Sequence, residues 1–153
     1  MMRAGKEEPG MTLIVKTITR LTVGLILLYG IYIVSHGHVS PGGGFAGGVI
    51  IALSFIHVML AYGRDVAVVK LSVRKASFFE SMGALLFWFL ALWGFTQGYF
   101  FLNALKKGEP FRLFSSGMIP FYNIAIAFKV GAGLFAIFMT LVFLHIDVDK
   151  DKL

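Results

Sequence analysis

With 153 residues, 58% of them hydrophobic and only 14% charged, and a mean hydropathy of +0.82, the chain is far more apolar than a soluble domain of its size. It contains no cysteine, which excludes disulfides, thiolate metal sites and cysteine-held iron–sulfur clusters. The net charge of +6 would suit nucleic acid, but the lysines and arginines fall in the gaps between apolar stretches, a placement that speaks for membrane topology and for no nucleic-acid partner.

Residues 1–11 read as a polar N-terminal tail carrying Pro9 and Gly10. The apolar stretch that follows is too long for a signal-peptide core and shows no small-residue cleavage site. Spans of about 20 apolar residues suffice to cross a bilayer. Such spans are expected over Thr17–Ser35, Gly43–Tyr62, Ser77–Asn103 and Pro120–His145. The prediction is an all-α membrane protein with four transmembrane helices in a domain at 12–146, a Gly/Pro-rich break between the first two helices, and a polar C-terminal tail at 147–153. Lys16 and Arg20 stand at the start of the first span, and Pro120 suits the first turn of the last, where its missing N–H is not needed.

Orientation follows from the cations. Arg3, Lys6, Lys16 and Arg20 precede span one; Arg64, Lys70, Arg74 and Lys75 separate spans two and three; Lys150 and Lys152 follow span four. The opposite side has no Lys or Arg between the first two spans, and Lys106, Lys107 and Arg112 between the last two. The positive-inside rule then puts both termini in the cytoplasm and turns the break outward. The break has no counterpart in the second half of the chain, which speaks against a self-contained inverted-repeat transporter.

The break itself, Ser35 to Gly48, reads SHGHVSPGGGFAGG. Glycine costs about 1 kcal/mol and proline about 3 kcal/mol inside a helix, so this mixture interrupts one. Gly43 and Gly47 make one G-x-x-x-G row; Gly44 and Gly48, continued by Ala52, make another, the spacing that lets membrane helices approach closely. His36 and His38 would point the same way in an extended segment. As a pair they fall short of the three protein ligands of a catalytic zinc site, so hydrogen bonding to loop carbonyls, a proton relay and a metal site all remain open readings.

The stretch GHVSPGGGFAGG, Gly37 to Gly48, closely resembles the signature of the B subunit of Mrp/Mnh-type cation/proton antiporters, G-H-x-[ST]-P-G-G-G-F-x-G-G. His38, Ser40, Pro41, Gly42, Gly43, Gly44, Phe45, Gly47 and Gly48 match it; His36 lies outside. The resemblance implies a subunit of a multisubunit Na+/H+ antiporter in the cell membrane, non-catalytic by itself, without a cofactor or metal of its own. It would be partnered by other antiporter-module membrane subunits. Relatives built into archaeal membrane-bound hydrogenases and related redox complexes extend the implied partners to hydrogenase-type redox subunits. The family resemblance further implies an acidic residue near the start of span four, where this chain has Asn123.

Ionisable residues within the spans are the remaining candidates. Lys129 lies inside span four, where a charge is costly and usually faces protein or water. Its helical neighbours Ala125, Ala132, Gly133 and Ala136 point it at a packed helix or a narrow cavity, as a relay or as a charge partner of another subunit. His57, with Ser54 on its face, reads as a hydrogen-bonded core histidine or a relay. The candidate ion path is therefore Lys129, His57 and His38, set against a purely structural spacer that holds neighbouring subunits together and a membrane metalloenzyme. Ser77 to Glu80 fits a capping box, which accounts for Glu80 ahead of an ion role; Trp88 reads as packing, and His145, Asp147, Asp149 and Asp151 read as a solvated terminus.

Overall fold

The computed structural model describes residues 11–63, 72–105, 108 and 115–150, with the side chains of Phe143 and of 145–150 left aside. Four helices cover most of this: α1 (Leu13–His36), α2 (Gly43–Tyr62), α3 (Val73–Trp93) and α4 (Ile119–Lys150), with a 3-10 turn, Gly94–Gln97, continuing α3. Each carries a stretch long and apolar enough to cross a membrane, and no strand occurs among the described residues. The chain is a multi-pass, all-α membrane protein.

The helix ends follow local chemistry. The hydroxyl of Ser72 accepts from the Lys75 amide at 3.4 Å and caps α3, whose first turn thus starts ahead of the expected Ser77. Ser77 and Glu80 therefore lie in the body of α3, and the capping box read there does not form. Gly94 and Gly98, the latter at φ 115°, end α3 well before Asn103. Asn103 instead ties the connection to α4: its Oδ1 accepts from Met118 N at 3.1 Å and its Nδ2 donates to Ser116 O at 3.3 Å. At the other end α4 runs on to Lys150, so the polar tail that begins at 147 is helical to that residue.

In space the order along the row is α1, α2, α4, α3, so that α2 and α4 form the central pair. α1 and α2 are joined by a tight turn rather than a re-entrant or protruding loop: Val39 N and Ser40 N both donate to His36 O at 2.9 Å, and Ser40 Oγ donates to the same oxygen at 3.2 Å. The other end of this hairpin is closed by Met11 N donating to Ala61 O at 3.0 Å and Tyr62 Oη donating to Lys16 O at 2.9 Å. Met59, Ala76, Phe135 and Met139 form a buried cluster joining α2, α3 and α4. Trp88, read as packing, is instead 61% exposed on the outer face of α3.

Candidate functional site

The glycine-rich turn works as a two-sided contact. Successive residues on a helix are about 100° apart, so neighbouring small residues can face different helices. A β-carbon at Gly47 would collide with Val34 Cγ2 of α1 and come within 2.9 Å of Gly30 O. One at Gly44 would collide with the Asn123 carbonyl of α4, and one at Gly48 would meet Ala127 O at 3.0 Å. The two small-residue rows thus bring α2 into backbone contact with α1 and α4 at once. Gly43 starts α2 at φ 79°, a left-handed conformation that a side chain would strain.

α2 has no capping side chain of its own. Asn123 of α4 supplies one from outside, its Oδ1 accepting from Gly44 N at 3.3 Å. Its Nδ2 is enclosed and finds no hydrogen bond among the described residues, as does the hydroxyl of Tyr122, which packs edge-on against Phe87. The position where the antiporter resemblance implies an acid is thus a tertiary helix cap, a role that no spacing within the sequence reveals.

The titratable groups occupy different seams. His57 Nε2 and Thr19 Oγ1 share a 3.0 Å hydrogen bond between α2 and α1, with Thr19 only 1% exposed. Ser54, on the same face, donates instead to Ile51 O at 2.7 Å. His36 is the last residue of α1, so it does not lie in an extended segment with His38. Its ring stacks on Tyr32 at 4.1 Å and its Nδ1 bonds Tyr32 O at 3.0 Å. No group of three or more His, Cys, Asp or Glu that could hold a metal comes together among the described residues.

Lys129 lies across the central pair from His57, on the α3 side of α4. Its Nζ is 3.7 Å from Glu80 Oε1, and the two side chains are 54% and 41% exposed on this chain. Gly83 makes room for the pair: a β-carbon there would lie 2.7 Å from Lys129 N and 2.8 Å from Ala125 O, so α3 and α4 touch through backbone at this level. Ala125 and Ala132 of the small-residue stripe beside Lys129 therefore serve packing within the chain, while the ammonium leans outward to a carboxylate that the sequence pattern assigns to a cap. Lys129 is about 15 Å along α4 at 1.5 Å per residue, well inside a hydrocarbon layer of about 30 Å. A charge there costs about 3 kcal/mol on insertion scales. Of the candidate path, Lys129 and His57 take different partners, Glu80 and Thr19, in different seams.

Comparison with known proteins gives a consistent picture. A family model described as a domain related to the MnhB subunit of Na+/H+ antiporter matches residues 14–136. An uncharacterised protein of Methanocaldococcus jannaschii is 35% identical over 117 residues, covering 72% of this chain and 44% of that protein. A protein of Staphylococcus aureus strain Newman, named as an antiporter subunit, mnhB2, is 43% identical over 49 residues, 32% of this chain and 35% of that one. Among solved structures, a chain of the membrane-bound sulfane sulfur reductase, an archaeal respiratory membrane complex, superposes with a TM-score of 0.75 at 31% identity, covering 89% of this chain and 59% of that chain. This chain thus spans less than two thirds of the length of each of these relatives.

Proposed function

Because this chain belongs to the MnhB family of antiporter subunits, we propose that it is an integral membrane subunit of a multisubunit monovalent cation/proton antiporter module and takes part in both ion translocation and assembly. The observation that carries the translocation reading is the Glu80–Lys129 pair, two ionisable groups held at membrane depth on adjacent helices. Such groups are expensive in lipid and are kept where charge moves or where polar surfaces meet. A proton or cation arriving beside this pair changes its electrostatics directly, because within a low-dielectric layer charges a few ångströms apart interact strongly. The likeness to a chain of an archaeal respiratory complex supports a setting in which electron transfer in hydrogenase-like redox subunits drives the ions. The absence of cysteine suits a subunit that leaves redox chemistry to its neighbours. Both termini are assigned to the cytoplasm on the distribution of Lys and Arg, which puts the glycine-rich turn at the outer surface.

A second reading, the spacer subunit, is favoured by one observation: His57 is bonded to Thr19 in the α1–α2 seam, apart from Lys129. On this reading His57, His38 and Lys129 all serve structure, and the ions pass through neighbouring subunits. Ion flux by the purified, reconstituted complex carrying Lys129→Ala decides between the two. Translocation predicts at least a tenfold loss of flux with the subunit composition retained. Wild-type flux from a fully assembled variant would leave the spacer.

A further inference from the structure

From the Glu80–Lys129 pair we infer that the outer side of α4, from its seam with α3 at this pair to the groove it shares with α2, docks a transmembrane helix of a neighbouring subunit, one that presents a hydrogen-bond acceptor to Lys129 at that depth. This rests on the proposed membership in a multisubunit complex and adds which face is covered and by what chemistry. The Lys129–Glu80 separation of 3.7 Å is beyond hydrogen-bond length, so the pair is a loose one that leaves donors of the ammonium to be filled. Both side chains are largely open on this chain, and hydrocarbon offers neither acceptor nor water. At about 15 Å along α4, the lysine stem cannot carry its charge back to the interface.

The surface beside the pair has the form of a helix seat. Gly133 and Ile137 follow Lys129 at four-residue steps and so share its face. Gly133 leaves room beside the pair: the nearest atoms to a β-carbon there would be those of Glu80, at 3.5 Å or more. At Ile137 an apolar groove of about 250 Å³ begins between α2 and α4, walled by Val49, Ala52, Ile56, Leu134 and Leu141. From Lys129 to Leu141 the seat runs about 18 Å along α4. It is polar at one end and apolar along the rest, which fits a membrane helix bearing one polar side chain rather than a lipid tail. Thr19, His57 and Ser54, by contrast, find their partners inside the chain.

Two experiments on the complex purified from its native membrane test this. A photoreactive benzoylphenylalanine replaces Ile137 in one variant and Leu25, 69% exposed on α1, in another. Irradiation of the first is expected to yield adducts with one neighbouring subunit, mapping within about a turn of a polar residue on a membrane helix. The second variant is not expected to give that adduct. Adducts with lipid alone, or with a second copy of this chain, while other subunits co-purify, would overturn the docking face and leave complex membership intact. Recovery of the wild-type chain with no other subunit would overturn both. In the second experiment, the double variant Glu80→Lys with Lys129→Glu keeps an internal ion pair and reverses what is shown to the partner. The expected result is at least a tenfold drop in co-purified subunits, with the chain still inserted in the membrane. Wild-type assembly of this swap would show that the pair is complete by itself.

Discussion

The molecule holds two polar pairs between helices, and they differ in what surrounds them. Thr19 and His57 are joined at 3.0 Å where α1 meets α2, with the threonine buried, so the pair is finished within the chain. Glu80 and Lys129 stand at 3.7 Å where α3 meets α4, with both side chains open to whatever lies beyond. A buried polar group costs free energy only when it is left unbonded, and a closed pair therefore explains itself as structure. An open charged pair at membrane depth is incomplete without a neighbour, and that incompleteness is what makes it the functional candidate. Residue type alone would have ranked the two histidines with the lysine.

The largest effect should come from forcing apart the closely packed seam between α2 and α4. Gly44→Val adds a branched side chain where even a β-carbon collides with Asn123 O and lies 2.8 Å from Ile126 Cβ. Separating α2 from α4 is expected to cost about 3 kcal/mol or more, at the top of the range for overpacking. It should be read as loss of the chain from the membrane fraction. Gly133→Ala is the control on the open side, where the new β-carbon makes ordinary contact with Glu80 Cδ at 3.5 Å, and it should leave the amount of chain unchanged. Equal losses in the two variants would erase the distinction between the seams.

Next comes the open pair itself. Lys129→Met keeps length and removes charge. Ion flux of the complex is expected to fall at least tenfold, while the isolated chain in detergent melts no lower than wild type, because the exposed pair contributes little to a fold that ends beside it. A drop in melting temperature as large as that of a core substitution would mean that Lys129 is part of the bundle's interior.

Thr19→Val tests the closed pair by the opposite readout. It strands a ring nitrogen of His57 and should lower stability by about 1–3 kcal/mol, the cost of an unsatisfied buried group. Flux per assembled complex should stay at the wild-type level. Loss of flux without loss of stability would bring His57 back into the ion path.

How much of this was readable beforehand depends on what kind of signal each feature leaves. Apolar length locates the four helices, and α2 begins and ends where hydropathy puts it, because Gly42 and Gly63 bracket it with conformations at φ 141° and 87°. The end of α3 was less legible: its apolar run continues through Phe100 and Leu102, and hydropathy takes no notice of Gly94 and Gly98. The two glycine rows announce close packing but not their partners, since which neighbour each row meets depends on the spatial order α1, α2, α4, α3. Glu80 was misread for a physical reason. A Ser-x-x-Glu pattern can cap a helix only at its start, and Ser72 had already taken that place. Its pairing with Lys129 spans 49 positions of sequence (129 − 80), far beyond any helical repeat.

The smallest expected effect lies where the two sides meet, at Asn123. Its Oδ1 accepts from Gly44 N, and its Nδ2 is enclosed without a bond among the described residues. Asn123→Asp keeps the acceptor, replaces the unbonded donor with a second oxygen, and sets a carboxylate at the positive end of the α2 dipole. The dipole favours that charge by about 0.3–1 kcal/mol, up to about 2 kcal/mol in partly buried geometry. Withdrawal from water costs an ion more than the dipole returns, so the substitution is tolerated as the neutral acid, whose carbonyl oxygen still accepts from Gly44 N. The melting temperature of the complex should then move by no more than a few degrees, in keeping with about 1 kcal/mol. Asn123→Leu, with the same branched outline in bulkier methyl groups, removes the acceptor and leaves the Gly44 amide bare, and it should cost about 1–2 kcal/mol, as loss of a cap does. The order wild type, Asp, Leu in a thermal unfolding series would make the cap the reason for a polar residue here. If Leu instead matched wild type, Gly44 N must find another acceptor, and the seam between α2 and α4 would be held by the glycine contacts alone.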